Sequence, residues 1–182
     1  MTDAPETSGE AAESVRDLVL ITGMSGAGRT EALHTFEDLG YFCIDNLPPA
    51  LIGRLVELTA LPGSRVRRIA VACDVRGGTF FDDLVGELVK LEEGGHPFRI
   101  LFLTAEDRTL VRRFKETRRR HPLADECPIG EGIAAERDLL EAIRERADHT
   151  IDTTDLRPQE LRTIIRESFV ASGHEDQLAV TV

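Results

Sequence analysis

The chain contains 182 residues, of which 41% are apolar, so it is long and apolar enough for one domain with a buried core. Its 33 acidic and 22 basic residues give a formal net charge of −11, which excludes a general attraction to nucleic acid or to an anionic membrane. No apolar run approaches the roughly 18 residues of a membrane span. The acidic N-terminus argues against a secretory signal, and three cysteines without CxxC spacing argue against disulfides and structural zinc. These features predict a cytoplasmic protein.

The order of the predicted elements indicates alternating strands and helices. Residues 1–17 are small, polar and acidic and are predicted to be a flexible tail. Short apolar runs predict strands at residues 18–22, 41–44, 68–73, 99–103 and 149–152. Helical periodicity predicts helices at residues 29–39, 50–61, 79–91, 107–119, 133–147 and 158–172. This alternation predicts one α/β domain over residues 18–174, with a mostly parallel sheet covered on both faces. Residues 175–182 resemble the beginning of a further element.

A glycine-rich turn follows the first predicted strand and precedes the first helix. It fits the pattern G-x-x-x-x-G-basic-[ST] with Gly23, Met24, Ser25, Gly26, Ala27, Gly28, Arg29 and Thr30. Glycines let backbone N–H groups approach phosphate, and the helix N-terminus adds partial positive charge. The basic Arg29 would neutralise the β and γ phosphates, and the Thr30 hydroxyl would hold Mg²⁺. Because Arg29 stands where Lys is usual, nucleotide binding is expected to survive better than turnover. The alternative is a strand-to-helix turn that binds nothing.

Two carboxylates follow predicted strands, at the edge where parallel sheets bind ligands. Asp74 is a candidate Mg²⁺ ligand, and turn capping is its alternative role. Asp45 follows the second strand, where small-molecule kinases often contact substrate or metal. Capping of the turn at Asn46 is equally compatible with its position. Both residues are therefore candidates for a catalytic role, together with Arg29.

Residues 112–120, RRFKETRRR, form a basic run in an otherwise acidic chain. Three interpretations remain open: a solvated helix face, a lid whose arginines neutralise transferring phosphate, and a patch for RNA phosphates. The scarcity of aromatic stacking residues makes the RNA patch the least favoured of the three.

The loop, together with the segments DNLP at residues 45–48, DVR at 74–76 and TRRRHPL at 117–123, resembles the RapZ/YvcJ nucleotide-binding proteins, also called RNase adapter proteins. The resemblance implies a P-loop NTPase of kinase-like, three-layer αβα architecture that binds ATP and GTP with Mg²⁺ and hydrolyses them slowly. It places the GTP-contacting segment at Asp74, Val75, Arg76 and Gly77. Arg29 in place of Lys is similar to the actinobacterial branch.

Family members continue into a C-terminal domain, which residues 175–182 would begin. The resemblance therefore implies a regulatory nucleotide-binding module. RNA or protein partners would contact the C-terminal domain, and the full-length protein would be a homo-oligomer. One alternative is a small-molecule kinase with Asp45 near its acceptor. Another is an adapter that uses the P-loop only as a scaffold.

Overall fold

The computed structural model describes residues 15, 17–61, 63–73, 78–118, 120–124 and 127–170. Five strands form one parallel sheet in the order β2-β3-β1-β4-β5. The strands are β1 (Asp17–Gly23), β2 (Phe42–Asp45), β3 (Arg68–Ala72), β4 (Arg99–Thr104) and β5 (His149–Asp152). The helices are α1 (Arg29–Asp38), α2 (Ile52–Thr59), α3 (Gly78–Glu93), α4 (Asp107–Thr117), α5 (Ile129–Glu145) and α6 (Pro158–Val170).

Helices cover both faces of this sheet. α1 packs against α6, whereas α2, α3, α5 and α4 contact one another in that order. Right-handed crossovers place α1 on one face, because the chain moves towards β2, and the next helices on the other face, because it then moves back across the sheet. The predicted three-layer α/β fold is thereby confirmed.

The central strand β1 carries the core and leads into the glycine-rich loop. It pairs with β3 on one side and β4 on the other, and residues 18–21 are all almost completely buried. A strand covered on both faces must be apolar throughout, which is why this run showed no polar alternation. β1 begins one residue earlier than predicted, at Asp17, whose carboxylate accepts a hydrogen bond from Arg99 of β4 at 2.6 Å.

Helix α5 begins at Ile129, four residues before the predicted start at residue 133. Pro128 precedes it with an extended ψ of 144°. Glycines lower helix propensity, so Gly130 and Gly132 concealed this first turn in the sequence. Gly132 has a packing role, because a Cβ atom there would lie 2.7 Å from the Cβ atom of Ala124.

The predicted tail, apart from Val15 and Asp17, and the predicted segment 175–182 lie outside the described residues, so the domain boundaries remain predictions. Within the described ranges, no helix combines the length and apolar character that crossing a bilayer requires.

The three thiols are expected to differ in reactivity because their burial differs. Cys127 is exposed, Cys73 is buried, and partial burial raises the pKa of Cys43 to about 11. Since the thiolate is the reactive form, Cys43 should be alkylated at pH 8 at least about a hundredfold more slowly than Cys127. Timed iodoacetamide labelling with peptide mass mapping measures both rates, and Cys127→Ser should remove the fast phase. Equal rates for Cys43 and Cys127 would contradict the prediction.

Candidate functional site

The glycine-rich loop turns sharply between β1 and α1. Gly23, Gly26 and Gly28 have positive φ angles of 135°, 86° and 104°, which side chains with a Cβ rarely adopt. At Gly23, an added Cβ would lie 2.8 Å from the carbonyl carbon of Leu103 and closer still to its oxygen. The Met24 amide donates to that same oxygen at 2.9 Å. The first half of the loop is thus held directly against β4.

Two side chains of the predicted loop face the core. Met24 and Ala27 are completely buried, so they can contribute only backbone groups to a ligand. Gly26 and Thr30 are exposed, and Gly28 and Arg29 are partly exposed. The first N–H groups of a helix have no acceptor within it, so the N-terminus of α1, which directly follows the loop, favours an anion.

The loop opens onto a cavity of about 830 Å³. One wall is the loop itself, and the other is the second half of α4 and the segment after it. The loop contributes Ser25, Gly26, Gly28, Arg29 and Thr30. The second wall contributes Arg113, Phe114, Glu116, Thr117, Arg120, His121 and Pro122. Cationic side chains therefore face the loop across the cavity, as a polyphosphate ligand requires.

Arg29 lies at the cavity wall and reaches the carboxyl end of β3. Its Nη1 donates to the Cys73 carbonyl oxygen at 3.0 Å. The following residues, Asp74, Val75, Arg76 and Gly77, lie outside the described residues, so their predicted contacts with Mg²⁺ and GTP remain predictions. The bond to Cys73 nevertheless brings Arg29 beside the backbone from which that segment continues.

Asp45 is placed differently from the loop residues. It ends β2, the edge strand, and β3 separates it from β1. Asp45 is exposed and is not among the described residues that line the cavity. Asp45 pairs with Ala72 of β3, the residue before Cys73, whose carbonyl oxygen accepts from Arg29, and its catalytic role stays a prediction.

Arg113 of α4 holds the loop in place by hydrogen bonds. Its guanidinium donates to the Gly26 carbonyl at 3.1 Å, to the Thr153 hydroxyl at 3.0 Å and to the Thr153 carbonyl at 2.6 Å. The Thr153 hydroxyl also lies 2.9 Å from the Ala27 carbonyl oxygen. Burial of the guanidinium lowers the pKa of Arg113. The basic run is thus divided by position: Arg113 holds the loop, and Arg120 lines the cavity while remaining exposed.

A buried carboxylate, Glu136 of α5, contacts the loop from behind. Its two oxygens accept hydrogen bonds from the Ser25 amide at 3.0 Å and the Ser25 hydroxyl at 2.6 Å. His121 Nε2 lies 3.1 Å from the same carboxylate, and the Leu123 amide donates to His121 Nδ1 at 3.1 Å. Because Nδ1 accepts, the proton of the neutral ring lies on Nε2, which donates to Glu136.

Sequence reasoning assigned no function to Glu136, His121 or Thr153. A signal for Glu136 was nevertheless present. It shares the buried face of α5 with Gly132, Ile133, Leu140 and Ile143, at helical spacing. A glutamate on an otherwise apolar face must have buried partners, because an unpaired buried charge is strongly unfavourable.

The residues present fit a magnesium-bound nucleotide in their chemistry. The Thr30 hydroxyl stands at the first turn of α1, and hydroxyl and carboxylate oxygens are the ligands Mg²⁺ prefers. Across the described ranges, no group of three or more His, Cys, Asp or Glu side chains forms a site for a metal by itself.

Solved structures of similar fold include two small-molecule kinases. The shikimate kinase from Acinetobacter baumannii in complex with shikimate aligns with a TM-score of 0.54 and 18% identity, over 90% of this chain and 97% of that one. A gluconokinase from Sinorhizobium meliloti aligns with a TM-score of 0.54 and 17% identity, over 91% and 99%. At this identity the likeness shows the fold alone, and the chain has an α/β P-loop fold of the kinase type.

Residues 16–173 match the RapZ-like N-terminal domain, and the chain belongs to that family. A nucleotide-binding protein of Clostridium botulinum (strain Loch Maree / Type A3) is 46% identical over 165 residues, covering 90% of this chain and 56% of the relative. Another from Alkaliphilus oremlandii is 43% identical over 164 residues, covering 90% and 57%. The family resemblance is confirmed, whereas the actinobacterial assignment stays a prediction. The chain spans about half the length of these curated relatives.

Proposed function

We propose that this domain binds ATP and GTP together with Mg²⁺, with the phosphates held by the loop from Gly23 to Thr30. The observation that carries the proposal is the loop itself: three positive-φ glycines between a buried strand and a helix N-terminus, opening onto a cavity with arginines on its walls. The curated relatives named above are described as nucleotide-binding proteins, which supports the same ligand class.

Each part of the site has a separate task in this proposal. Loop amides and the N-terminus of α1 bind phosphate oxygens, and the Arg29 guanidinium neutralises their charge. The Thr30 hydroxyl, with the Asp74 carboxylate proposed beside it, would hold Mg²⁺. When bound, the metal supplies positive charge to the phosphates.

The same site predicts slow hydrolysis. Of the described residues that line the cavity, Glu116 alone is a carboxylate, and it lies on α4 within 3.9 Å of Arg112. An exposed carboxylate beside an arginine is a poor general base for an attacking water. Arg29 also donates to the Cys73 carbonyl, which holds its guanidinium at the end of β3. We therefore propose a regulatory binding module with weak ATPase and GTPase activity.

In this proposal the remaining half of a full-length relative would supply the regulatory output. We propose further that the full-length protein contacts RNA or protein partners, self-associates into a homo-oligomer and is cytoplasmic. A kinase activity is the alternative, and it requires an acceptor beside the phosphate loop. Arg29 in place of the usual Lys favours the regulatory module over the kinase.

Calorimetric titration with ATP and with GTP, each with and without Mg²⁺, tests the proposal when combined with a phosphate-release assay. We expect saturable binding of both nucleotides, tighter with Mg²⁺, and slow phosphate release. Absence of binding heat with both nucleotides would contradict the proposal. Fast phosphate transfer that depends on an added metabolite would identify a kinase instead.

Asp74→Asn tests the proposed metal ligand. Replacing the carboxylate by an amide should lower Mg²⁺-dependent phosphate release by at least about tenfold, because Mg²⁺ prefers anionic oxygen ligands. Binding without Mg²⁺ should change by less than about threefold, since no metal bond is lost. The exposed Asp138→Asn on α5 makes the same chemical change away from the cavity and serves as the control. Equal losses with and without Mg²⁺ would remove the metal role of Asp74.

A further inference from the structure

Ser25, Glu136 and His121 form a hydrogen-bonded network beneath the phosphate loop. Glu136 is 5% exposed, His121 is completely buried and Ser25 is 4% exposed. The carboxylate accepts three hydrogen bonds, two from Ser25 and one from His121. We infer that Glu136 is a positioning residue, which sets the conformation of the phosphate loop through Ser25 and couples it to residues 120–124 through His121. This inference rests on the proposed nucleotide site.

The connection to the loop determines the direction of a backbone donor. Ser25 lines the cavity, but its amide and hydroxyl protons both point to Glu136. A phosphate loop works by the direction of its N–H groups, so a partner that fixes the Ser25 peptide also restricts the amide of the next residue, Gly26. Gly26 is exposed at the cavity, and Arg113 holds its carbonyl. Glu136 and Arg113 therefore both fix this part of the loop.

The other end of the network is equally constrained. The His121 ring contacts the Phe114 ring edge to face, with 5.0 Å between centroids, and receives the Leu123 amide at Nδ1. A Cβ atom at Gly132 would lie 2.9 Å from His121 Nδ1, so α5 packs closely against the ring. The preceding residue, Arg120, lines the cavity opposite the loop. A displacement of Ser25 by a bound phosphate is therefore transmitted through two hydrogen bonds to the segment that carries Arg120.

Two substitutions separate positioning from the mere presence of a side chain. Glu136→Ala removes the carboxylate, so the amide and hydroxyl of Ser25 and the Nε2–H group of His121 lose their acceptor. Glu136→Gln can restore the network, because its carbonyl oxygen accepts from the Ser25 amide and His121 while its NH₂ group donates to the Ser25 hydroxyl. Glu145→Gln, an exposed position on the same helix, is the matched control.

The first readout does not require nucleotide. Amide hydrogen exchange at Ser25 should be at least about tenfold faster in Glu136→Ala than in the unmodified chain, and near the unmodified rate in Glu136→Gln and Glu145→Gln. The His121 Nε2–H proton signal in NMR should broaden in Glu136→Ala, shift in Ser25→Ala, and remain sharp in Glu136→Gln and Glu145→Gln. A thermal melt of each variant shows whether it is folded. If Glu136→Ala fails to fold, Ser25→Ala, which removes only the hydroxyl bond, provides the smaller change.

The second readout measures coupling with ATP as the probe. ATP should slow amide exchange in residues 120–124 of the unmodified chain and of Glu136→Gln, and this effect should be lost in Glu136→Ala. ATP affinity should fall at least about tenfold in Glu136→Ala and be restored to within about threefold in Glu136→Gln. The inference would be overturned if Glu136→Ala left the amide exchange of Ser25 unchanged. It would also be overturned if Ser25→Ala altered neither the His121 signal nor the effect of ATP on exchange in residues 120–124. An unmodified chain that binds no ATP would overturn the proposed function instead, while Ser25 exchange still tests the positioning role.

Discussion

Gly23→Ala is expected to destabilise the domain by more than about 4 kcal/mol and to abolish nucleotide binding in whatever remains folded. The added methyl group would collide with backbone atoms of Leu103, 2.8 Å from its carbonyl carbon, and backbone cannot move aside as a flexible side chain can. The φ angle of 135° adds strain for any residue with a Cβ. The affected contact joins β1 to β4 in the middle of the sheet, so a local adjustment would separate two paired strands.

Gly86→Ala is the matched control. Gly86 lies within α3, and nothing stands within 4 Å of an added Cβ there. Because alanine favours helix over glycine, this variant should be unchanged or stabilised by up to about 1 kcal/mol. Urea unfolding followed by circular dichroism measures both free energies of unfolding. A loss below about 1 kcal/mol for Gly23→Ala would contradict the described close approach of the loop to β4.

Arg29→Ala should lower the affinity for ATP and for GTP by at least about tenfold, since a charged hydrogen bond to phosphate typically contributes more than 1.4 kcal/mol. The guanidinium is the cationic group of the loop itself, and it is held at the cavity wall by the Cys73 carbonyl. Arg29→Lys keeps the charge and should retain binding to within about threefold, with faster phosphate release, because the slimmer ammonium group is the usual one at this position.

Calorimetry with Mg²⁺ measures these affinities, and a thermal melt separates loss of binding from loss of fold. Arg54→Ala on α2 is the control. It removes an arginine whose side chain is 76% exposed and paired with Glu57, and it should leave the affinity unchanged. Equal affinities of Arg29→Ala and the unmodified chain would show that the loop does not bind phosphate as proposed.

The fold was predictable because the chain's local signals agree with one another. The apolar runs at residues 18–22 and 99–103 predict strands, and a glycine at position 40, directly after the predicted first helix, is typical of a helix end. The structure confirms both, with a φ of 80° at Gly40. The start of α5 was harder to predict, because Gly130 and Gly132 both lower helix propensity, and the close packing at Gly132 has no local sequence pattern.

Only the glycine-rich loop of the site was predictable from the sequence, whereas the residues that support it were not. The loop from Gly23 to Thr30 has a local pattern, since its function depends on consecutive backbone groups. Glu136 and Thr153 support it from 111 and 126 residues away, where no local pattern exists. Arg113 lay inside a basic run whose charge was compatible with a solvated face, a lid or an RNA patch. Only the packing of α4 shows that its guanidinium points inward to the loop.

The contact between Thr153 and Ala27 also determines when the site can be completed during synthesis. The hydroxyl that supports the loop is separated from it by 126 positions along the chain. A ribosome-bound chain that ends before β5 therefore contains every residue of the glycine-rich turn but lacks one of its supports. Formation of contacts at such separation is slow and follows the local elements. Nucleotide binding by the growing chain would then indicate that nearly the whole described domain has been synthesised and folded.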